Sequence, residues 1–127
     1  GLLEEVPEVD SVVAATEIAE GCRLAEGFSP DVVLANPVLD DAGPFNTARR
    51  LHPPGPKATL MFLDDTVREL NIRASVESHA EGYWTKHASF DQIRLALLDL
   101  AEGQVSFCSG ALRYVKFSKG RPIFKAS

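Results

Sequence analysis

Two short, uninterrupted apolar runs, each followed by a polar residue, constrain the fold of this chain more than any other feature. Residues 32–35 read Val-Val-Leu-Ala before Asn36, and residues 60–63 read Leu-Met-Phe-Leu before Asp64. Runs of this length with no polar residue on either face are typical of strands that are buried on both sides of a parallel sheet. They therefore predict a parallel sheet covered by helices on both faces.

Helical patterns alternate with these runs along the chain. Residues 12–15 and 82–85 read as further short strands, and helices are predicted after residue 15, from residue 43 to 51, behind Thr66 and behind Ser89. Thr66 and Ser89 each precede a Glu or Gln by three residues, the pattern of a capping box. The expected inward faces are Val67, Leu70 and Ala74 in the helix behind Thr66, and Ile93, Leu97, Leu100 and Ala101 in the helix behind Ser89.

This alternation implies right-handed crossovers, so the predicted class is α/β with a doubly wound parallel sheet. In such sheets the working site lies beyond the carboxyl ends of the strands, which here means Asn36, Asp64 and Lys86. The tail differs, because apolar residues flank Ser118-Lys119-Gly120 in a pattern that predicts either a hairpin or a partly ordered linker.

Charge is unevenly distributed along the chain. All 18 acidic residues lie before residue 103, whereas five of the 13 basic residues lie in the last fifteen positions, so the acidic body is expected to bind polyanions poorly. No apolar run is long enough to span a bilayer and the first residues are acidic, which predicts a cytoplasmic protein. Cys22 and Cys108 lack metal-ligand spacing and are expected to be reduced, structural thiols.

Two strings resemble a known family. Residues 29–36, Ser-Pro-Asp-Val-Val-Leu-Ala-Asn, resemble the segment of response-regulator receiver domains that ends in the phosphoacceptor. Residues 81–89, Glu-Gly-Tyr-Trp-Thr-Lys-His-Ala-Ser, resemble the fifth strand and lysine of receivers, and are similar to those with LuxR- or NarL-type outputs. The resemblance covers roughly residues 2–107. It implies a flavodoxin-like, CheY-like fold, with a receiver-like domain over residues 1–108 and a basic extension over 109–127.

Receivers begin with a strand at the centre of the sheet, followed by an acidic pair. Residues 2–6 of this chain instead resemble the end of the first helix, so we expect the first strand to be missing from this chain. A central strand cannot be removed without leaving two neighbours unpaired. The sequence therefore predicts that the basic tail or a second copy of the chain fills the gap, unless the chain is a fragment.

The resemblance assigns chemical roles to the strand ends. Receivers transfer a phosphoryl group to an aspartate with the help of Mg²⁺, a lysine and a hydroxyl. The phosphoacceptor position is Asn36, whose amide is a poor nucleophile and a weaker Mg²⁺ ligand than a carboxylate. The hydroxyl position is Asp64, whose charge would repel a phosphoryl group. The lysine, Lys86, is retained, and we expect it to form an ion pair with Asp64.

Further positions follow from the same resemblance. Tyr83 matches the aromatic residue that swings inward when receivers are activated, although a half-buried strand aromatic is the simpler interpretation. Trp84 and Thr85 are expected on the face that many receivers use to dimerise. Asp40 and Asp41 are possible substitute phosphoacceptors or metal ligands, although solvated turn residues are the simpler interpretation.

These assignments favour a pseudo-receiver that regulates through a homodimer or a partner protein, without phosphorylation, enzymatic activity, metal or other cofactor. DNA would be reached only through an output domain outside this chain, and no membrane is involved. One alternative is a phosphorylatable receiver that uses a displaced aspartate and Mg²⁺. Another is a flavodoxin-like binder of a small ligand at the strand ends.

Overall fold

A fully parallel five-stranded sheet with strand order β1-β2-β3-β4-β5 organises the described part of the chain. The structure, a computed structural model, describes residues 12–15, 31–37, 43–52 and 59–125. The strands of the sheet are β1 Val12–Ala15, β2 Val32–Ala35, β3 Thr59–Asp64, β4 Gly82–Thr85 and β5 Ser106–Phe107. The helices are α1 Pro44–Leu51, α2 Glu69–Glu77, α3 Phe90–Ala101 and α4 Ser109–Leu112, and the chain continues into β6 Val115–Ser118 and β7 Arg121–Phe124.

The predicted α/β class with a parallel sheet is confirmed, but the expected gap in the sheet is wrong. Strands β1 and β2 pair directly with each other, from Val12 opposite Val32 to Ala15 opposite Ala35. Their backbone groups therefore satisfy one another, and neither the tail nor a second copy is needed between them. The tail lies elsewhere, because β6 and β7 form a separate two-stranded sheet.

The two faces of the central sheet bury different sets of side chains, as the period of two along a strand requires. We call the first the α2 face, since α1 and α2 pack on it; its strand residues are Val33, Ala35, Leu60, Phe62 and Tyr83. We call the second the α3 face, where Val32, Leu34 and Met61 pack against Ile93, Ala96, Leu97 and Leu100. Both sides of β2 are buried, which explains its uninterrupted apolar sequence.

Helix α3 begins as predicted. The Ser89 side chain accepts a hydrogen bond from the Gln92 backbone N–H at 3.2 Å, and the Gln92 side chain accepts one from the Ser89 N–H at 2.8 Å, which completes a capping box. Three of the four predicted inward residues are buried, whereas Ala101 is exposed.

The predicted capping box at Thr66 is wrong. Helix α2 begins at Glu69, and its N-cap, Arg68, makes no side-chain cap hydrogen bond. Val67 therefore precedes the helix, and both Val67 and Leu70 are exposed, whereas Ala74 is buried as predicted. The buried residues of α2 are Asn71, Ile72, Ala74, Ser75 and Val76.

The predicted hairpin in the tail is present. Lys119 and Gly120, at the turn between β6 and β7, both have positive φ, as hairpin turns of this length require. The Tyr114 and Phe124 rings stack with centroids 6.3 Å apart, and the Arg73 guanidinium of α2 lies 5.8 Å from the Phe124 ring. The contact between Arg73 and Phe124 joins the hairpin to α2. The domain boundary at residue 108 stays a prediction.

Within the residues that the structure describes, no helix has the length and apolar character needed to cross a membrane. Cys108 is free and buried, and this burial raises the pKa of its thiol. The protonated, apolar thiol agrees with the structural role predicted for it. Cys22 and the helix predicted after residue 15 lie outside the described residues.

Candidate functional site

Asp64 ends β3 with its side chain fully buried on the α2 face. Its carboxylate accepts hydrogen bonds from the Asn71 side-chain amide at 2.9 Å, from the Asp65 backbone N–H at 2.8 Å and from the Tyr83 hydroxyl. The half-exposed Arg68 guanidinium lies 3.5 Å away. A buried carboxylate is tolerated only where donors replace the water that it has lost, and these groups supply them.

Tyr83 is fully buried, so the interpretation as a half-buried aromatic is wrong. Besides donating to Asp64, its hydroxyl oxygen accepts from the Arg68 backbone N–H at 3.2 Å and lies 3.2 Å from the Thr66 carbonyl. Burial first, and then the hydrogen bond to Asp64, raise the pKa of Tyr83, so the phenol stays protonated and acts as a donor. The hydroxyl therefore connects β4 to the loop that leads into α2.

Lys86 pairs with Asp65, and the predicted ion pair between Lys86 and Asp64 is wrong. The Lys86 Nζ lies 2.8 Å from Asp65 Oδ1, and the Asn36 side-chain amide reaches the same oxygen at 3.4 Å. The hydrogen bond from Lys86, and secondly its charge, lower the pKa of Asp65. One carboxylate oxygen thus lies between the ends of β2 and β4, in contact with both.

The period of two along a strand explains which aspartate meets the lysine. Phe62 and Asp64 share a parity in β3 and lie on the α2 face with Tyr83. Lys86 continues the pairing of β4 with β3 and has the opposite parity to Tyr83. Asp65 is one residue beyond Asp64 and therefore has the parity of the lysine side. The prediction that Lys86 pairs with Asp64 failed because it considered only that both residues stand at strand ends, and not which face of the sheet each side chain lies on.

The described donors at this edge do not fit Mg²⁺, which receivers use. Mg²⁺ requires several oxygen ligands in near-octahedral geometry, usually including carboxylates. The Asp64 oxygens are turned into the core toward Asn71 and Tyr83, and Asp65 is already paired with Lys86. Across the described residues, no group of three or more His, Cys, Asp or Glu residues is arranged to hold a metal ion. Asp40 and Asp41, the possible substitute acids, lie outside the described residues.

The predicted interaction face is largely covered by the chain itself. Strand β5 pairs with the outer edge of β4, with Ser106 opposite Gly82. Trp84 is half-buried and donates its indole N–H to the Ser106 hydroxyl at 2.9 Å, while Thr85 is buried. The role of Trp84 and Thr85 in a partner contact stays a prediction. The exposed large apolar side chains of the described residues are Phe45, Val67, Leu70, Leu95, Leu112, Phe117 and Ile123.

Three residues of this site were missed from the sequence, and they are Asp65, Arg68 and Asn71. Asp65 carried a usable signal, because strand parity distinguishes it from Asp64. Asn71 carried a weaker sequence signal. It stands beside the apolar Ile72, but its burial can be inferred only when the first residue of the helix is known. Arg68 contributes mainly its backbone N–H, which no sequence pattern identifies.

Comparison with solved structures supports this fold, whereas comparisons with family models and curated proteins found no match. No protein-family model matches the chain. Among curated proteins no significant match is found either. One similar solved structure is a two-component response regulator of the LuxR family from Aurantimonas sp. SI85-9A1, with a TM-score of 0.68 and 19% sequence identity over 78% of this chain and 71% of that one. The chain therefore has the fold of a response-regulator receiver domain.

Proposed function

We propose that this chain is a pseudo-receiver, a module of a two-component-type signalling and transcription regulator that works through protein contacts without accepting a phosphoryl group. The observation that carries the proposal is the position of Asp65. Its carboxylate oxygen lies 2.8 Å from the Lys86 Nζ, so a protein carboxylate already holds the lysine that would otherwise hold phosphoryl oxygens.

The phosphoacceptor position supports the same conclusion. Asn36 follows β2 where receivers place an aspartate, and its amide lacks the negative charge of a carboxylate nucleophile. The amide nitrogen instead donates toward Asp65. A phosphoryl donor approaching this edge would meet an amide, and the adjacent Asp65 would repel its negative charge.

The switch position supports a fixed conformation. In receivers a hydroxyl after the fourth strand responds to the phosphoryl group, and an aromatic residue on the fifth strand moves with it. Here the aromatic Tyr83 is buried inward and bonded to Asp64, with no phosphoryl group required. We infer that the chain is held in one arrangement, in which the loop from Thr66 to Arg68 is tied to β4.

The remaining parts of the proposal rest on the fold shared with a LuxR-family regulator. The module is cytoplasmic, is not an enzyme, needs no cofactor and acts through a second copy or a partner protein. DNA is contacted only through an output domain outside these residues.

Intact mass tests the proposal directly. The purified protein is incubated with Mg²⁺ and acetyl phosphate beside a competent receiver as a positive control. We expect no gain of phosphate in this chain. A stable gain would refute the proposal, and phosphate mapped to Asp40 or Asp41 would support the displaced acceptor instead.

The variant Asn36→Asp separates the two proposed barriers to phosphorylation, which are the Asn36 amide and the Asp65–Lys86 ion pair. It supplies a carboxylate at the acceptor position but leaves the Asp65–Lys86 pair intact. We expect this variant to stay unphosphorylated. Phosphorylation of Asn36→Asp alone would mean that the amide is the only barrier, and that the ion pair is not one.

A further inference from the structure

A cavity of about 470 Å³ is lined by Thr85 at the end of β4 and by His87 and Ala88 in the loop that follows. It is bounded by the loop before α2, the first turn of α3 and the segment that begins α4. Its size is within the range of small-molecule pockets. Neither Asn36, Asp64, Asp65 nor Lys86 lines it, so this cavity is separate from the strand-end site.

Thr85 gives the cavity a buried polar group without a partner. Thr85 lines the cavity and is 9% exposed, and its hydroxyl makes no hydrogen bond to any described residue. Thr59 provides the comparison, because it is 8% exposed and donates its hydroxyl to the Asp31 carbonyl at 3.2 Å. Buried hydroxyls are normally paired, so the free one at Thr85 indicates a group that a ligand can satisfy.

The polar lining of the cavity is rich in donors. Gln92 uses its side-chain oxygen to accept from the Ser89 N–H, which leaves its amide NH₂ to donate. His87 and Ser109 also line the cavity, and their side chains carry further hydrogen-bonding groups. None of the described lining residues is acidic. Asp91, the acid in the first turn of α3, does not line the cavity and lies near Arg94.

The lining also contains the apolar side chains of Trp84 and Ala88. The Trp84 indole N–H is already bonded to Ser106, so Trp84 offers apolar ring surface rather than a donor. Val67 closes one side against Gly110, where a β-carbon would lie only 2.8 Å from the valine methyl group. This approach is possible because residue 110 is glycine.

From the unpaired hydroxyl, the donors and the apolar residues of the lining, we propose that this cavity binds a small organic carboxylate with an aromatic body. The carboxylate accepts from the Thr85 hydroxyl and the Gln92 side-chain amide, and the aromatic body packs against Trp84. This binding site does not depend on the pseudo-receiver role, and either can fail without the other.

The protein contains a single tryptophan, and Trp84 lines the cavity, so its fluorescence and its indole N–H resonance report on this site alone. Benzoate and phenylacetate are titrated into the full chain, with benzyl alcohol as the uncharged probe. We expect at least one of the two carboxylates to give a saturable change, and benzyl alcohol to bind about tenfold more weakly or not at all.

Two valine variants provide the matched test. Thr85→Val removes the unpaired hydroxyl and should weaken carboxylate binding about tenfold, whereas Thr59→Val removes a paired hydroxyl away from the cavity and should leave the affinity unchanged. The site is refuted if neither carboxylate perturbs Trp84 up to millimolar concentrations. Equal affinity for benzyl alcohol, or an unchanged affinity in Thr85→Val, would also overturn it.

Discussion

Replacing Tyr83 with phenylalanine should cost about 2 kcal/mol of unfolding free energy. The change removes one hydroxyl and keeps the ring, so no large cavity forms. It takes from the fully buried Asp64 carboxylate one of its donors, and hydrogen bonds to charged groups contribute about 1.5–3 kcal/mol. Asn71, the Asp65 N–H and Arg68 remain as partners, which holds the cost below that of an isolated buried charge.

The assay is urea unfolding followed by circular dichroism, with thermal unfolding as a second measure. For a chain of this length, a loss of about 2 kcal/mol lowers Tm by on the order of 8 °C. Tyr114→Phe is the matched control, because Tyr114 is the other of the two tyrosines and its hydroxyl has no hydrogen bond among the described residues. We expect that control to stay within about 0.5 kcal/mol of wild type.

A double-mutant cycle isolates the pair. With Asp64→Asn the partner of Tyr83 is neutral, so Tyr83→Phe should then cost only about 1 kcal/mol. The assigned role of this hydrogen bond is refuted if Tyr83→Phe is no more destabilising than Tyr114→Phe. It is also refuted if the cost of Tyr83→Phe is the same with Asp64 and with Asn at position 64.

Three further changes test other parts of the structure. In Gly82→Ala, the new β-carbon would lie 2.7 Å from the Cγ of the fully buried Met61, so overpacking should cost about 1–3 kcal/mol in urea unfolding; wild-type stability would contradict that packing. Because Lys86 lowers the folded-state pKa of Asp65 below its ordinary value of 3.8, this pair stabilises the protein above that pH and is lost as pH falls through the folded pKa. In Asp65→Asn the unfolding free energy should therefore fall less as the pH is lowered below about 4 than it does in wild type. An unchanged pH dependence would contradict a stabilising Asp65–Lys86 pair. Thr85→Val should leave the stability of the ligand-free protein equal or raise it by up to about 1 kcal/mol, whereas a clear loss would mean that the hydroxyl is paired.

The strands and the last long helix could be predicted because their signals are local. The uninterrupted apolar run before Asn36 is explained by burial on both faces of its strand. The capping box of Ser89 and Gln92 lies within one turn of helix. The hairpin at Lys119 and Gly120 is equally local, since its turn depends on two residues with positive φ.

The contacts of the site depend on relationships between distant elements, which local patterns do not specify. The partner of Lys86 is decided by which face of β3 each aspartate occupies, and the burial of Tyr83 depends on Asp64 from a neighbouring strand. Helix α2 starts at Glu69, directly after the residue whose backbone N–H bonds to the Tyr83 hydroxyl, and not at the capping pattern of Thr66.

The edge of the sheet is a second such case. The resemblance to receivers predicted that Trp84 and Thr85 lie on the face that many receivers use to dimerise. The backbone of Ser106 and Phe107 pairs with β4 and covers that edge. A run of two residues is too short to be recognised as a strand from its sequence.

The central claim is that the Asp65 carboxylate occupies Lys86 at the strand-end site, and a phosphoryl analogue tests it most directly. The ¹H–¹⁵N resonances of Asn36, Asp65 and Lys86 are followed while Mg²⁺ and beryllofluoride are added together. The arrangement of Asp65 between Asn36 and Lys86 predicts no saturable change at these three residues. Saturable shifts there that require both Mg²⁺ and beryllofluoride would mean that the site opens to a phosphoryl group, and would contradict the pseudo-receiver assignment.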